Sequence, residues 1–261
     1  MRYLIPLSLF ALSCSLPVIA SEPKTHQWFN TATYNTLKNI TNDNDSVALS
    51  SHYYFAPQQH SGVWDDFGYL DTDTNIKLDY FNDDDADNFG LFAEGFYNKW
   101  FASVELADLG ETDDYSLGLG YVFAQSLKVS VRLAEFKAAD TIYWFKAQYN
   151  HQLNDTDYLG FTIETDDDID TWNASTRYFH HLSHERYLSV DLAYEDNGVD
   201  SVFSGMANYY FNRNVAIGAG VADSHLQLEA KYFINSQYYF TAHFSNVEEG
   251  EQYAAKFVAQ F

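Results

Sequence analysis

The chain has 261 residues, with 37 acidic side chains against 14 Lys and Arg, a formal net charge of −23 and one cysteine. So acidic a chain will not hold nucleic acid through its phosphates, and a single cysteine supplies no disulfide framework. The mean hydropathy is negative despite 21 Tyr and 21 Phe, and beyond the first twenty positions nothing approaches the run of about 18 apolar residues that a membrane helix needs.

Arg2 precedes an apolar run from Tyr3 to Ala20, interrupted by Pro6, Pro17 and serines and ending in Val18-Ile19-Ala20 before Ser21. A basic start, an apolar stretch and a small-residue end predict a cleavable signal peptide over residues 1–20. A transmembrane helix is the alternative, and the prolines and serines argue against it. Cys14 raises a lipid-attachment alternative, to which Ala11-Leu12-Ser13 is a poor match. No Pro-, Gly- or Ser-rich linker divides residues 21–261, so they are read as one domain.

From there the chain alternates apolar and polar residues in short segments, the period of a strand with two unlike faces. Candidate strands fall at 28–38, 46–56, 74–82, 88–96, 99–107, 114–123, 127–136, 140–150, 157–165, 170–180, 186–196, 200–211, 214–222, 224–234, 237–246 and 250–261. The segment at 28–38 has no clearly apolar face. The pattern is clearest at Val47/Leu49/Ser51/Tyr53/Phe55, at Tyr115/Leu117/Leu119/Tyr121/Phe123 and at Leu226/Leu228/Ala230/Tyr232. Each segment has about the length of a tilted membrane strand. Sixteen is an even number, as an up-and-down bacterial barrel requires; fourteen is the nearest alternative.

The connections form two alternating classes. One class is acidic: it includes Asp83, Asp84, Asp85 and Asp87, then Asp166, Asp167, Asp168 and Asp170, and Lys137 is its basic exception. The other is short and much less acidic, as at Asn98-Lys99, Ala124-Gln125-Ser126 and Asn212-Arg213-Asn214. Strict alternation means strands that run up and down between two chemically different ends. The acidic end is expected to be the extracellular mouth and the short turns periplasmic. Pro57 to Asp73 breaks the pattern, being long and aromatic on the short-turn end. Connections of that length are often functional. It is either a surface loop, or missed strands, or a segment folded into the lumen, the last placing His60, Trp64, Asp65, Asp66, Phe67 and Tyr69 inside.

In the final stretch Tyr253, Ala255, Phe257, Ala259 and Phe261 share one face, and Gln252, Ala254, Lys256, Val258 and Gln260 the other. This row, with Phe96-Tyr97-Asn98-Lys99-Trp100, Gly120-Tyr121 and Tyr209-Tyr210-Phe211-Asn212, resembles Gram-negative outer-membrane porins and, more narrowly, the small putative general bacterial porin family. The resemblance covers the whole chain after the signal peptide. It implies a transmembrane antiparallel β-barrel in the cell outer membrane, in contact with lipid and lipopolysaccharide, acting as a passive channel for ions and small hydrophilic solutes. It also implies that Tyr253, Phe257 and Phe261 are a signal read by the barrel-assembly machinery. Such porins carry a long extracellular loop folded inward, and no acidic connection here is long enough for that. No cofactor is implied, and a homo-oligomer is left open beside a monomer.

By parity the residues opposite the lipid face, expected to line the pore, are Lys77, Asp79, Glu94, Glu105, Lys128, Arg132, Lys146, Glu164, Arg177, Asp191, Glu195, Glu229, Lys231 and Lys256. Basic and acidic members are equal in number, so cation preference is expected to be modest and to come from the acidic mouth. The mixture either sets a transverse field or simply pairs across strands. Calcium at the Asp-rich connections lacks the spacing of a calcium hand, and His180, His181 and His184 read as polar surface rather than a zinc site. A structural or adhesin-like barrel is the alternative function. A barrel enzyme is third, since no catalytic spacing stands out.

Overall fold

Each strand finds its hydrogen-bonding partner in its nearest neighbour along the chain, and the last finds the first. The computed structural model describes residues 25–39, 43–83, 87–110, 112–137, 139–248 and 250–261. Its strands are Thr25–Asn39 (β1), Asp43–Gln59 (β2), Asn75–Asn82 (β3), Asp87–Tyr97 (β4), Trp100–Leu106 (β5), Tyr115–Phe123 (β6), Leu127–Phe136 (β7) and Ala139–Gln152 (β8). They continue with Tyr158–Asp166 (β9), Trp172–Ser183 (β10), Arg186–Asp196 (β11), Ser201–Asn212 (β12), Val215–Ala222 (β13), His225–Phe233 (β14), Tyr238–Val247 (β15) and Gly250–Gln260 (β16). All sixteen join in order as one closed antiparallel barrel. No described helix is long and apolar enough to cross a membrane; the strands do the crossing.

Two kinds of turn join the strands, and both kinds occur at each end of the barrel. Ala124 and Gln125 both have positive φ, as do Asp223 and Ser224. Two left-handed central residues match the right-handed twist of the strands that they join. At the other connections Asn and Asp side chains cap the turn: Asn235 Oδ1 accepts from the N–H of Gln237 and Tyr238, and Asn197 Oδ1 from Val199 and Asp200. This local capping is why such residues punctuate the sequence.

Closure rests on β1 and β16. They pair from Phe29↔Gln260 to Asn39↔Gly250, and Phe261 extends the ladder through its N–H to the Trp28 carbonyl at 2.8 Å and its carbonyl to the Trp28 N–H at 2.9 Å. Strand β1 forms although neither face is apolar. Its outward Asn30 is satisfied sideways, accepting from Ser51 Oγ at 3.0 Å, and Ser51 in turn accepts from Trp28 Nε1 at 2.8 Å.

Register sorts the two faces. Leu117, Leu119 and Phe123 are exposed on the outside of β6 while Ser116 and Val122 are buried within. Leu119 sits at the centre of that strand. Leu119→Arg is therefore expected to destabilise the barrel by about 2–4 kcal/mol, whereas Gln148→Arg on the inward face of β8 should change stability little. Equilibrium denaturant unfolding in phospholipid vesicles measures both.

Candidate functional site: the plugged lumen

The β2–β3 connection enters the barrel from the short-turn end and fills that end. Val63 and Trp64 are buried with Tyr158, Phe179, Tyr187, Tyr210, Ala216 and Phe233 in one apolar cluster, with Tyr69 and Tyr239 against it. The cluster joins an aromatic segment to the aromatic inner residues of β9 to β15 nearest the short turns. Phe67 packs edge-on against Phe29 at 4.9 Å and His26 at 6.2 Å. Glycine is required where the segment passes closest: a Cβ on Gly160 would come within 2.2 Å of the Tyr69 ring. Gly62, at φ +132, lies against the Tyr187 ring in a conformation that L side chains rarely adopt.

Three aspartates tether this plug. Asp65 Oδ2 pairs with Lys231 Nζ at 2.8 Å and accepts from the Tyr210 hydroxyl at 3.1 Å. Asp66, almost wholly buried, accepts from the Tyr158 hydroxyl at 2.7 Å and lies 3.6 Å from Arg177 Nε. Asp71 accepts from the Tyr54 hydroxyl at 2.8 Å, while its carbonyl accepts from Lys128 Nζ at 2.9 Å. Two further bonds add to the anchorage. Tyr69 and Thr162 share a hydroxyl bond of 2.6 Å, and Gln260 Nε2 donates to the Trp64 carbonyl at 2.7 Å. His60 lies on the same segment, and electrostatically it faces His26.

Among the described residues Lys128 is the most enclosed Lys or Arg. It meets Glu94 at 2.6 Å, both side chains being more than nine-tenths buried, and lies over the rings of Phe101 at 4.5 Å and Phe96 at 5.1 Å. Most of the other inward charges also pair, with cations and carboxylates interleaved rather than gathered on opposite walls. Lys77 meets Asp79 at 2.9 Å, Arg177 meets Asp191 at 3.4 Å, and Lys231 meets Glu229 at 3.2 Å. Arg132 links Glu105 at 3.7 Å and Glu164 at 3.2 Å, and Lys146 meets Glu164 at 3.3 Å. Glu195 and Lys256 lie on the same face by register, across from Asn173 and Thr241, and neither is ion-paired among the described residues.

Above the plug the lumen opens into polar space. A cavity of about 410 Å³ is bordered by Asp71, Glu94, Lys128, Arg132, Trp144 and Glu164. A second, of about 550 Å³, is bordered by His52, Lys77, Asp79 and Asn88. Phe92 and Glu105 line both.

At the acidic end, Asp167, Asp168 and Asp170 are exposed on the β9–β10 connection and Asp87 at the start of β4. Asp166 is drawn into its turn, its carboxylate accepting from the Thr171 N–H. Asp83 is half-buried, and Asp84 and Asp85 lie outside the described residues. No cluster among the described residues has the ligand set of a metal site. His180 and His181 serve a turn instead: His180 Nδ1 lies 2.6 Å from Asp157 Oδ2, and His181 Nε2 bonds the His184 carbonyl. On the outer face Tyr253 packs on Phe244, Phe257 on Phe240, and Phe261 on Trp28 and Tyr238.

Tyr54, Asp71, Trp144, Tyr158, Tyr210 and Gln260 complete the site, and none of them is a site candidate from the sequence. Parity puts their strand members inward, but nothing local marks them as partners of a segment up to 196 positions away.

Lys128→Met should cost about 3–5 kcal/mol, because it strands Glu94 in a buried setting. Lys128→Met with Glu94→Gln should recover most of that, as read by thermal unfolding in detergent. Asp157 supplies a pH test. Burial alone would raise its carboxyl, but hydrogen bonds from the His181 N–H, Asn154, Thr156 and His180 outweigh that and hold it at about 2, below the ordinary 3.8. A depressed carboxyl stabilises fully above its unfolded value and stops doing so as pH falls through its folded one. The β8–β9 turn should thus lose stability between about pH 4 and pH 2. Asp157→Asn should remove this acid-dependent step in amide exchange of residues 153–157.

Comparison with known proteins bears on the whole chain. Its fold is similar to that of the Acinetobacter baumannii outer membrane protein Omp33, with a TM-score of 0.59 at 12% identity, over 91% of this chain and 99% of that one. Two variants of the Rhodopseudomonas blastica porin superpose with a TM-score of 0.54 at 12% identity, covering 90% and 91% of this chain and 99% of theirs. No curated protein sequence is significantly similar to it. A family model described as putative general bacterial porin matches residues 4–254. With a closed sixteen-strand barrel and a family match over nearly its full length, the chain belongs to the putative general bacterial porin family, as an outer-membrane porin.

Proposed function

We propose that the chain is a narrow passive channel for ions and small hydrophilic solutes, with a modest preference for cations. The observation that carries this is the pair of polar cavities that share Phe92 and Glu105 along β2 to β9. The plug's Asp65, Asp66 and Trp64 are fastened instead to β9, β10, β12, β14 and β16. Solute then passes on the polar side of the plug. The preference for cations has two sources: the exposed carboxylates of the acidic mouth, and the plug's own aspartates, which add negative charge to otherwise matched lumen residues.

In this reading residues 1–20 direct export and are removed, the acidic end faces outward, and Tyr253, Phe257 and Phe261 present the assembly machinery with its signal. A channel also accounts for the paired charges better than an enzyme does, because none of them is held free for proton transfer.

Planar-bilayer recording tests this directly. The purified protein should conduct in small steps and show a cation-directed reversal potential across a salt gradient. Neutralising Asp167, Asp168 and Asp170 together should shrink that potential mainly at low salt, since screening limits the mouth's reach to about 8 Å at physiological ionic strength. Trp64→Ala with Asp65→Asn, which undocks the plug, should raise conductance. A wild-type protein that inserts but passes no current, while the undocked variant conducts, would mean that the plug seals the barrel and the channel reading is wrong for the resting state.

A further inference from the structure

The cavity above the plug is a mixed-charge pocket rather than a plain water-filled passage. Glu94 and Lys128 in its floor are closed on each other, and the Asp71 carboxylate at its border accepts from the Tyr54 hydroxyl and the Asp73 N–H, so Glu105, Arg132, Lys146 and Glu164 are the charges with open bonding positions that a solute meets. Their signs cancel. Glu164 is largely buried and is shared by Arg132 and Lys146, at 3.2 and 3.3 Å. That leaves both cations with unused N–H donors: a guanidinium has five and an ammonium three. Their side chains are 34% and 37% exposed. On the other flank Glu105 is 49% exposed; it accepts one hydroxyl bond, from Ser116 at 3.2 Å, and stands 3.7 Å from Arg132. It keeps open acceptor sites. Trp144 lies beneath Arg132, with 5.6 Å from the guanidinium carbon to the ring centroid, and Phe92 also lines the cavity.

We infer that this cavity binds a small zwitterion of the α-amino acid class. The solute carboxylate bridges Arg132 and Lys146, its ammonium group meets Glu105, and a small side chain lies against Trp144 and Phe92. The volume of about 410 Å³ falls in the range of small-molecule sites. A singly charged solute satisfies only one flank; an uncharged one must compete with water for every group. A zwitterion replaces water at both flanks and adds no net charge. The inference deepens the channel reading and rests on it only for how the solute arrives.

Titration calorimetry of the full-length barrel in detergent tests binding without requiring conduction. L-alanine at neutral pH should bind saturably. Lactamide, lactate and alaninamide, matched in size but lacking one or both charges, should each bind at least about tenfold more weakly, the worth of one charge-assisted hydrogen bond. Glu105→Gln, at a half-exposed position, should weaken alanine about tenfold while leaving heat-modifiable gel mobility unchanged. Arg132→Gln should do the same, and if it fails to fold, Glu105→Gln and the ligand series still decide. Lactate, alaninamide or lactamide binding as well as alanine, or no saturable binding of alanine, would each overturn the proposal. Bilayer recording in parallel keeps the two readings apart. Alanine binding without conductance supports the site and sinks the channel; conductance without alanine binding does the reverse.

Discussion

The hydrocarbon layer offers no hydrogen-bond partner to a backbone N–H or C=O, and every other feature of this protein depends on that constraint. A sheet meets it only by closing, because an open edge would leave a row of polar groups in lipid. Closure therefore has to be completed by whatever residues stand at the two ends of the sheet. Strand β1 shows how strong this demand is. Its sequence has no clearly apolar face, yet it pairs with both β16 and β2 along nearly its whole length. Its outward Trp28 and Asn30 are reconciled with lipid by the Trp28–Ser51–Asn30 relay, so that both polar groups are already bonded.

A closed barrel of sixteen strands encloses more space than its own inward side chains fill, and the chain spends one connection on that space. The plug divides the interior into two regimes. Near the short turns, Trp64 and Val63 exclude water together with the inner aromatics of β9 to β14. Farther in, the inner wall is charged, and its charges are held as pairs and triads. The aspartates of the plug lie at the boundary. There the surroundings are dry enough to make an unpaired carboxylate costly, and Asp65 and Asp66 each have both a tyrosine hydroxyl and a cation. The same groups thus hold the plug in place and satisfy it.

The barrel was legible because strand period, turn chemistry and the alternation of acidic with short connections are local properties. Leu117, Leu119 and Tyr121 announce an outward face without knowledge of any partner. Asn235 and Asn197 announce turns for the same reason. The plug was half legible. Its length and aromatic content on the wrong end marked it as exceptional, and three destinations stayed open because nothing within residues 57–73 distinguishes a surface loop from an inserted one. What decides is contact with Tyr158, Tyr210 and Gln260, which stand 92, 145 and 196 residues from the atoms that they touch. Parity places those three inward. It cannot show that their depth in the barrel coincides with that of the plug, since depth follows from the stagger of all intervening strands.

The same limitation explains the electrostatics. Counting inward residues along the strands produces a balance of charge, but the plug carries its own aspartates into the space that those residues share. Lys231 then serves Asp65 as well as Glu229, and Arg177 serves Asp66 as well as Asp191. Asp71 has only the Tyr54 hydroxyl and the Asp73 N–H at its carboxylate, because Lys128 is committed to Glu94 and to the Asp71 carbonyl. The interior therefore has more carboxylates than its cations can match one to one. This excess sits where low-dielectric walls focus its field and where mobile salt screens less than at an exposed surface. Carboxylates at the acidic end act over a Debye length and weaken in salt. Those brought in by the plug do not weaken to the same degree, so the two contributions to the potential along the lumen are physically separable.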